Sequence, residues 1–142
     1  MKELGYIKEI SDAFDTLLKE EHGLYHPPAR IDALELIAYL RSIGAVPVLA
    51  HGFLNLKTKE SLRTFLGKAA KAGLVAMETL YPKFTVEQTR MAKALAEEFG
   101  LLQSGGSDYH GENKPDIRLG TGRGELAVPY SFLEELKKFG NS

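Results

Sequence analysis

The chain has no cysteine among its 142 residues, so neither a disulfide nor a thiolate-bound metal is open to it. A metal held here must be met by nitrogen and oxygen donors, which suits manganese, zinc or iron, with magnesium also open. An excess of either charge is missing as well, the formal net charge being -1. That balance provides no long-range field toward nucleic acid or a membrane surface, although it is compatible with a local basic groove. Long apolar runs are absent. The opening Met1-Lys2-Glu3-Leu4-Gly5 lacks the apolar stretch of a signal peptide, and no run reaches transmembrane length. The expectation is a cytoplasmic protein with no membrane partner. Internal repeats, low-complexity tracts and heptads are lacking too.

What is present reads as a globular chain, 44% hydrophobic and 26% charged, long enough for one domain with a sizeable core. The first thirty residues differ from the rest. Ser11 is a candidate cap for a short helix carrying Ala13, Phe14, Leu17 and Leu18 at helical spacing, with Glu20-Glu21-His22-Gly23 as its stop. Tyr25-His26-Pro27-Pro28 then forces an extended connector, because a residue before proline avoids the helical region. Residues 1–30 are therefore expected to form a helical arm and linker, with His22 and His26 as linker residues, and residues 31–142 the main α/β domain.

From Ile31 onward helices and strands alternate. Asp32 with Glu35 resembles a capping box, opening a helix with Ala33, Leu36, Ile37, Leu40 and Ile43 as its apolar stripe and Gly44 as its stop. Ala45 to Ala50 is apolar on both faces, as expected of a strand covered by helices on each side. A helix follows from about Lys59 to Lys71, with Leu62, Phe65, Leu66, Ala69 and Ala70 inward, then a strand from Leu74 to Leu80 that carries Glu78. Thr85 and Gln88 make a second capping box for a helix ending at Gly100, and Leu101-Leu102 begin a third strand. A short strand at Leu126 to Val128 and a helix capped by Ser131 with Glu134 close the chain. The reading is an α/β fold with at least three parallel strands.

Chemistry concentrates at Ser104-Gly105-Gly106-Ser107-Asp108-Tyr109-His110-Gly111. In an extended segment residues i and i+2 share a side, so Asp108 and His110 are expected to reach one ion, or two adjacent ions, together. His51 ends another strand-like run, and in parallel α/β folds functional groups gather at the carboxyl ends of the strands. The three should meet. The plainer alternative makes Asp108 a turn cap, His110 a surface residue and His51 a hydrogen-bonded strand end. Glu78 either orients a ligand histidine or simply reaches solvent. Lys114, Arg118 and Arg123 are candidate phosphate contacts, or else solvated loop charges. Gly120-Thr121-Gly122-Arg123-Gly124 follows no clear strand and opens no amphipathic helix, so it fails as a nucleotide loop. Tyr81-Pro82 either lines the pocket or covers the sheet end.

Val48-Leu49-Ala50-His51 and Gly105-Gly106-Ser107-Asp108-Tyr109-His110-Gly111 resemble the C-terminal motifs of the polymerase and histidinol phosphatase (PHP) superfamily, in particular its small TrpH/YciV-like phosphoesterases. The Met77-Glu78 strand, Lys114-Pro115 and Leu119-Gly120 agree, as do Gly5-Tyr6, Ala13-Phe14 and Tyr25-His26-Pro27 with the end of that subfamily's inserted helical domain. The resemblance implies a partial β/α barrel whose His51, Asp108 and His110 are metal ligands, with Asp108 and His110 catalytic. It implies hydrolysis of a phosphorylated small molecule or short nucleic acid by metal-activated water. The family's N-terminal His-x-His, Ser-Asp-Gly, Asp-His and Gly-x-Glu elements do not occur, and Gly52 stands where the family usually has proline. A C-terminal portion with little activity of its own is expected, joined to a second copy or a complementing N-terminal half. The alternative is a non-catalytic α/β subunit or interaction domain that retains remnant ligands.

Overall fold

The computed structural model describes residues 2–9, 12–19 and 29–140. The candidate cap Ser11, the stop at 20–23 with His22, and the connector at 25–28 with His26 lie outside the described residues. The chain divides into two units, Met1–Ile31 and Asp32–Ser142. In the first, Ala13–Leu17 forms a short π-helical turn in which Ala13 is buried and Phe14 exposed, so the apolar set there does not make one inward stripe. The Asp12 carboxylate accepts from the amides of Lys8 and Glu9, tying the turn to the residues before it.

The second unit carries the sheet. Helix α1 (Ala33–Ser42) is capped by Asp32, whose Oδ1 accepts from the amides of Leu34 and Glu35. It ends at Gly44, where φ is 78° and the amides of Gly44 and Ala45 close on the carbonyls of Arg41 and Leu40. Of the expected stripe Ile37 is buried and Leu40 partly buried, whereas Leu36 and Ile43 are exposed, and Leu34, outside the stripe, packs on the core. Strand β1 is only Val48–Leu49. Pro47 has no amide to give to a ladder, although its carbonyl accepts from Val75 and Ala76. Val48 remains 40% exposed, so the strand is not covered on both faces as its composition suggested.

Helix α2 (Gly52–Asn55) is a single turn after β1 that the sequence reading did not separate. Helix α3 (Lys59–Ala72) is capped by Thr58 and buries Leu62, Leu66 and Ala69, all one helical turn apart. Strand β2 (Ala76–Leu80) leads to helix α4 (Val86–Glu98), where both bonds of the Thr85–Gln88 capping box form and Ala92, Leu95 and Ala96 face inward. Strand β3 (Leu102–Gly105) completes a parallel sheet in the order β1-β2-β3. Val48 pairs with Ala76, and Ala76 with Leu102; a slip beyond Glu78 sets Leu80 opposite Gly105. The core lies between this sheet and α3 and α4, around Leu62, Leu66, Met77 and Leu95.

The last helix, α5 (Tyr130–Gly140), packs on β3 with Phe132 and Leu136 partly buried. It starts one residue before Ser131, which therefore sits inside the first turn and is not the cap. No strand forms at 126–128, where the Leu126 amide donates to the Thr121 carbonyl. Among the described residues no helix is long and apolar enough to cross a membrane.

Candidate functional site

Each strand of the sheet delivers a polar or aromatic group just beyond its carboxyl end: His51 after β1, Tyr81 after β2, and Ser107 with Asp108 after β3. Parallel strands in register must do this, since their ends lie side by side and their loops leave together. Among the described residues, His51 (φ 35°) and Asp108 (φ 57°) are the two that are not glycine and have positive φ. A left-handed backbone is costly for a residue with a Cβ and persists only where its surroundings impose it. Both fall on the residues that the motifs single out.

His51 is held through its main chain. Its amide donates to Glu78 Oε2 at 2.6 Å, so Glu78 meets the histidine through the backbone and does not simply reach solvent. The ring lies 5.6 Å from that of Tyr81, and Tyr81, Phe84 and Phe53 continue the aromatic contacts beneath it. Gly52 is buried, with Leu62 Cδ1 only 3.1 Å from where its Cβ would stand. The turn after His51 is thus packed tightly and not loosened by glycine. His51 Nδ1 is buried and has no hydrogen-bond partner among the described residues. It is the unmet polar demand of the site.

Asp108 is the most connected carboxylate. Its Oδ2 accepts from the Tyr81 hydroxyl at 2.9 Å and from Lys114 Nζ at 2.6 Å. The Lys114 bond, helped by that of Tyr81, holds its pKa below the ordinary value against the opposing effect of burial. Tyr81, 4% exposed, is pushed up to about 12 by burial first and by the Asp108 charge it donates to. It stays a neutral donor at any physiological pH. His110 turns back on its own loop: Nδ1 lies 2.7 Å from the Asp108 carbonyl and 3.7 Å from Asp108 Oδ1. A carbonyl only accepts, so Nδ1 donates to it and Nε2 takes no part in that bond. Strand alternation is not what brings Asp108 and His110 together. β3 ends at Gly105, and the left-handed Asp108 bends the loop so that the imidazole meets the main chain.

A cavity of about 190 Å³ opens beside Asp108, lined by Tyr81, Lys83, Ser107, Lys114, Asp116 and Arg123 among others. Of the candidate phosphate contacts Lys114 and Arg123 line it and Arg118 does not, and Lys83, an isolated lysine that no sequence pattern brings forward, lines it too. Arg123 is paired with Asp116 at 2.6 Å. The glycine-rich segment is a structural turn: Arg118 and Gly122 exchange both backbone hydrogen bonds, and the Gly120 amide donates to the buried Ser107 Oγ. A Cβ on Gly122 would stand 2.9 Å from Pro82 Cγ, which explains the residue by close approach.

Glu78 is half-buried, and burial, reinforced by the nearby Asp108 charge, raises its pKa above the ordinary value although the His51 amide opposes this. The folded state therefore binds this proton more tightly than the unfolded state does, and stability falls as pH rises from the ordinary carboxylate value through the raised one. Glu78→Gln keeps an acceptor for the His51 amide and removes the titration. Urea unfolding between about pH 4 and 8 is expected to show the variant gaining on the wild type as pH rises; a difference that does not change with pH would contradict this.

The donor set fits one corner of a divalent-ion site. His51 Nδ1, the Asp108 carboxylate and His110 Nε2 are the right atom types, yet among the described residues no three histidine, aspartate or glutamate side chains converge on one ion. They do not make a self-contained metal centre.

No protein-family model matches the chain, and no curated protein does. Among solved structures it is similar to a Bifidobacterium adolescentis protein provisionally described as a metal-dependent phosphoesterase, with a TM-score of 0.73 and 26% identity. The match covers 98% of this chain and 47% of the other, so the present chain spans about half the length of that neighbour.

Proposed function

We propose that this chain is part of a metal-dependent phosphoesterase of PHP type, contributing His51, Asp108 and His110 as ligands, with Lys114 and Arg123 beside the phosphate. The observation that carries the reading is the Asp108 corner, a strained carboxylate with histidine and lysine around it at the carboxyl ends of a parallel sheet. The fold it shares with the provisional phosphoesterase supports it over nearly its whole length. In this reading the sheet is one side of a larger barrel, and residues 1–30 belong to an inserted arm. The remaining ligands come from another polypeptide segment. The short β1 edge, with its exposed Val48, is the surface such a partner would cover.

A second reading has its own support. One oxygen of Asp108, Oδ2, is already taken by Lys114 and Tyr81, which suits a non-catalytic subunit domain that keeps the ligands as remnants. Phosphate release from nucleotides and short oligonucleotides, with manganese or zinc added, tests whether the site is complete in this chain. The chain alone is expected to turn over at well under about 1 per second, with Asp108→Ala indistinguishable from background. Ordinary enzyme rates in the unassisted wild type would overturn the incomplete-site reading, and a stable monomer by light scattering would count against a complementing partner.

A further inference from the structure

We infer that the cavity beside Asp108 is a subsite for the phosphoryl group of an organic phosphate, held directly by Lys83 and Ser107 whether or not a metal is bound. The inference rests on the phosphoesterase reading above for the identity of the anion; that an anion is wanted follows from the lining. Three cations, Lys83, Lys114 and Arg123, share that wall with two carboxylates, Asp108 and Asp116. Each carboxylate already has a cation of its own: Lys114 Nζ stands 2.6 Å from Asp108 Oδ2, and Arg123 Nη2 stands 2.6 Å from Asp116 Oδ2. The two pairs balance, and the Lys83 charge is left without a partner among the described residues.

Ser107 supplies the second unspent group. It is 7% exposed, and its Oγ accepts from the Gly120 amide at 3.2 Å. That bond uses a lone pair and leaves the hydroxyl proton, which meets no acceptor among the described residues. A buried hydroxyl on a cavity wall with its proton unspent calls for an acceptor in the cavity. An oxyanion meets both demands, since its oxygens accept from the hydroxyl and its charge answers the lysine. Size limits what enters. The cavity's 190 Å³ falls below the roughly 300–1,000 Å³ that encloses a whole drug-sized ligand, so the anion is a terminal group. A second cavity of about 520 Å³ shares Tyr81, Pro82 and Arg123 with the first. Leu80, Phe84 and Leu126 give it an apolar wall, and Glu125 opposes a second anion there. The ligand class is therefore a phosphate monoester of an uncharged, ring-bearing group.

Calorimetric titration of the purified chain with phenyl phosphate, in EDTA so that no divalent ion takes part, tests the inference. Wild type is expected to bind, and Lys83→Met to bind at least about fivefold more weakly. The control Lys93→Met, at an exposed position of α4 outside both cavities, is expected to stay at the wild-type level. Methyl phosphate is expected to bind at least about threefold more weakly than phenyl phosphate, for want of the ring. No binding in EDTA, a Lys83→Met protein equal to wild type, or methyl phosphate bound as tightly as phenyl phosphate each overturns the inference. Binding that appears only when manganese replaces the chelator overturns it and leaves the phosphoesterase reading standing. Phenyl sulfate bound as tightly as phenyl phosphate would overturn the phosphate assignment on which both depend.

Discussion

Leu62→Ala is expected to lower the unfolding free energy by about 2–5 kcal/mol, the cost of emptying a fully buried leucine site. Leu62 has no exposed surface, and its Cδ1 is the atom nearest to the missing Cβ of Gly52. The side chain therefore does two jobs: it fills the space between α3 and the sheet, and it backs the single turn of α2 that follows His51. A cavity there cannot close by collapse without moving that turn. Urea unfolding measures the loss, with exposed Leu119→Ala as the control expected to change stability by no more than about 0.5 kcal/mol. A Leu62→Ala effect of the same small size would mean that the helix-sheet layer is not packed as described.

Gly105→Ala is expected to cost about 1–3 kcal/mol through overpacking. The added Cβ would stand 2.8 Å from Val128 Cγ2 and 3.0 Å from both the Cβ and the carbonyl oxygen of Leu80. The valine methyl can give way, but the neighbouring strand's backbone cannot. Val128→Ala in the same chain should therefore recover only part of the loss, and full recovery would locate the clash in the side chain alone. Gly106 is different, because its Cβ would meet only the Glu78 carboxylate, at 2.7 Å. Substitution there should disturb the His51 amide that Glu78 holds more than the stability of the fold.

The parts of this fold that were legible in the sequence are those governed by local rules. The Thr85–Gln88 box, the Asp32 cap, the Gly44 stop and the inward residues of α3 depend on hydrogen bonds and periodicity within a few residues, and each appears as expected. Failures came where a partner decides the outcome. Apolar residues from Ala45 to Ala50 read as a strand covered on both sides, yet only two residues pair and one of them is exposed. Leu126 to Val128 has strand composition and yet pairs with no strand. On α1 the periodicity marked Ile37, which is buried, but also Leu36 and Ile43, which are exposed, while packing against α3 drew in Leu34.

The candidate site divides in the same way. Residue types alone bring forward His51, Asp108 and His110, because no cysteine competes as a ligand and the glycine-rich approach to Asp108 is distinctive in a plain sequence. Their relation to each other was not legible. That Glu78 grips a histidine through its backbone and that Tyr81 joins the Asp108 carboxylate to the histidine ring depend on residues at least 27 positions apart meeting at strand ends, and that Lys114 claims the remaining charge depends on how the loop after β3 folds back on itself. The chain by itself determined which chemical groups are available, since that follows from composition and short-range pattern. Tertiary structure alone decided which of those groups are already spent on one another, because hydrogen bonds and charges act over a few ångströms in space, whatever the distance along the chain.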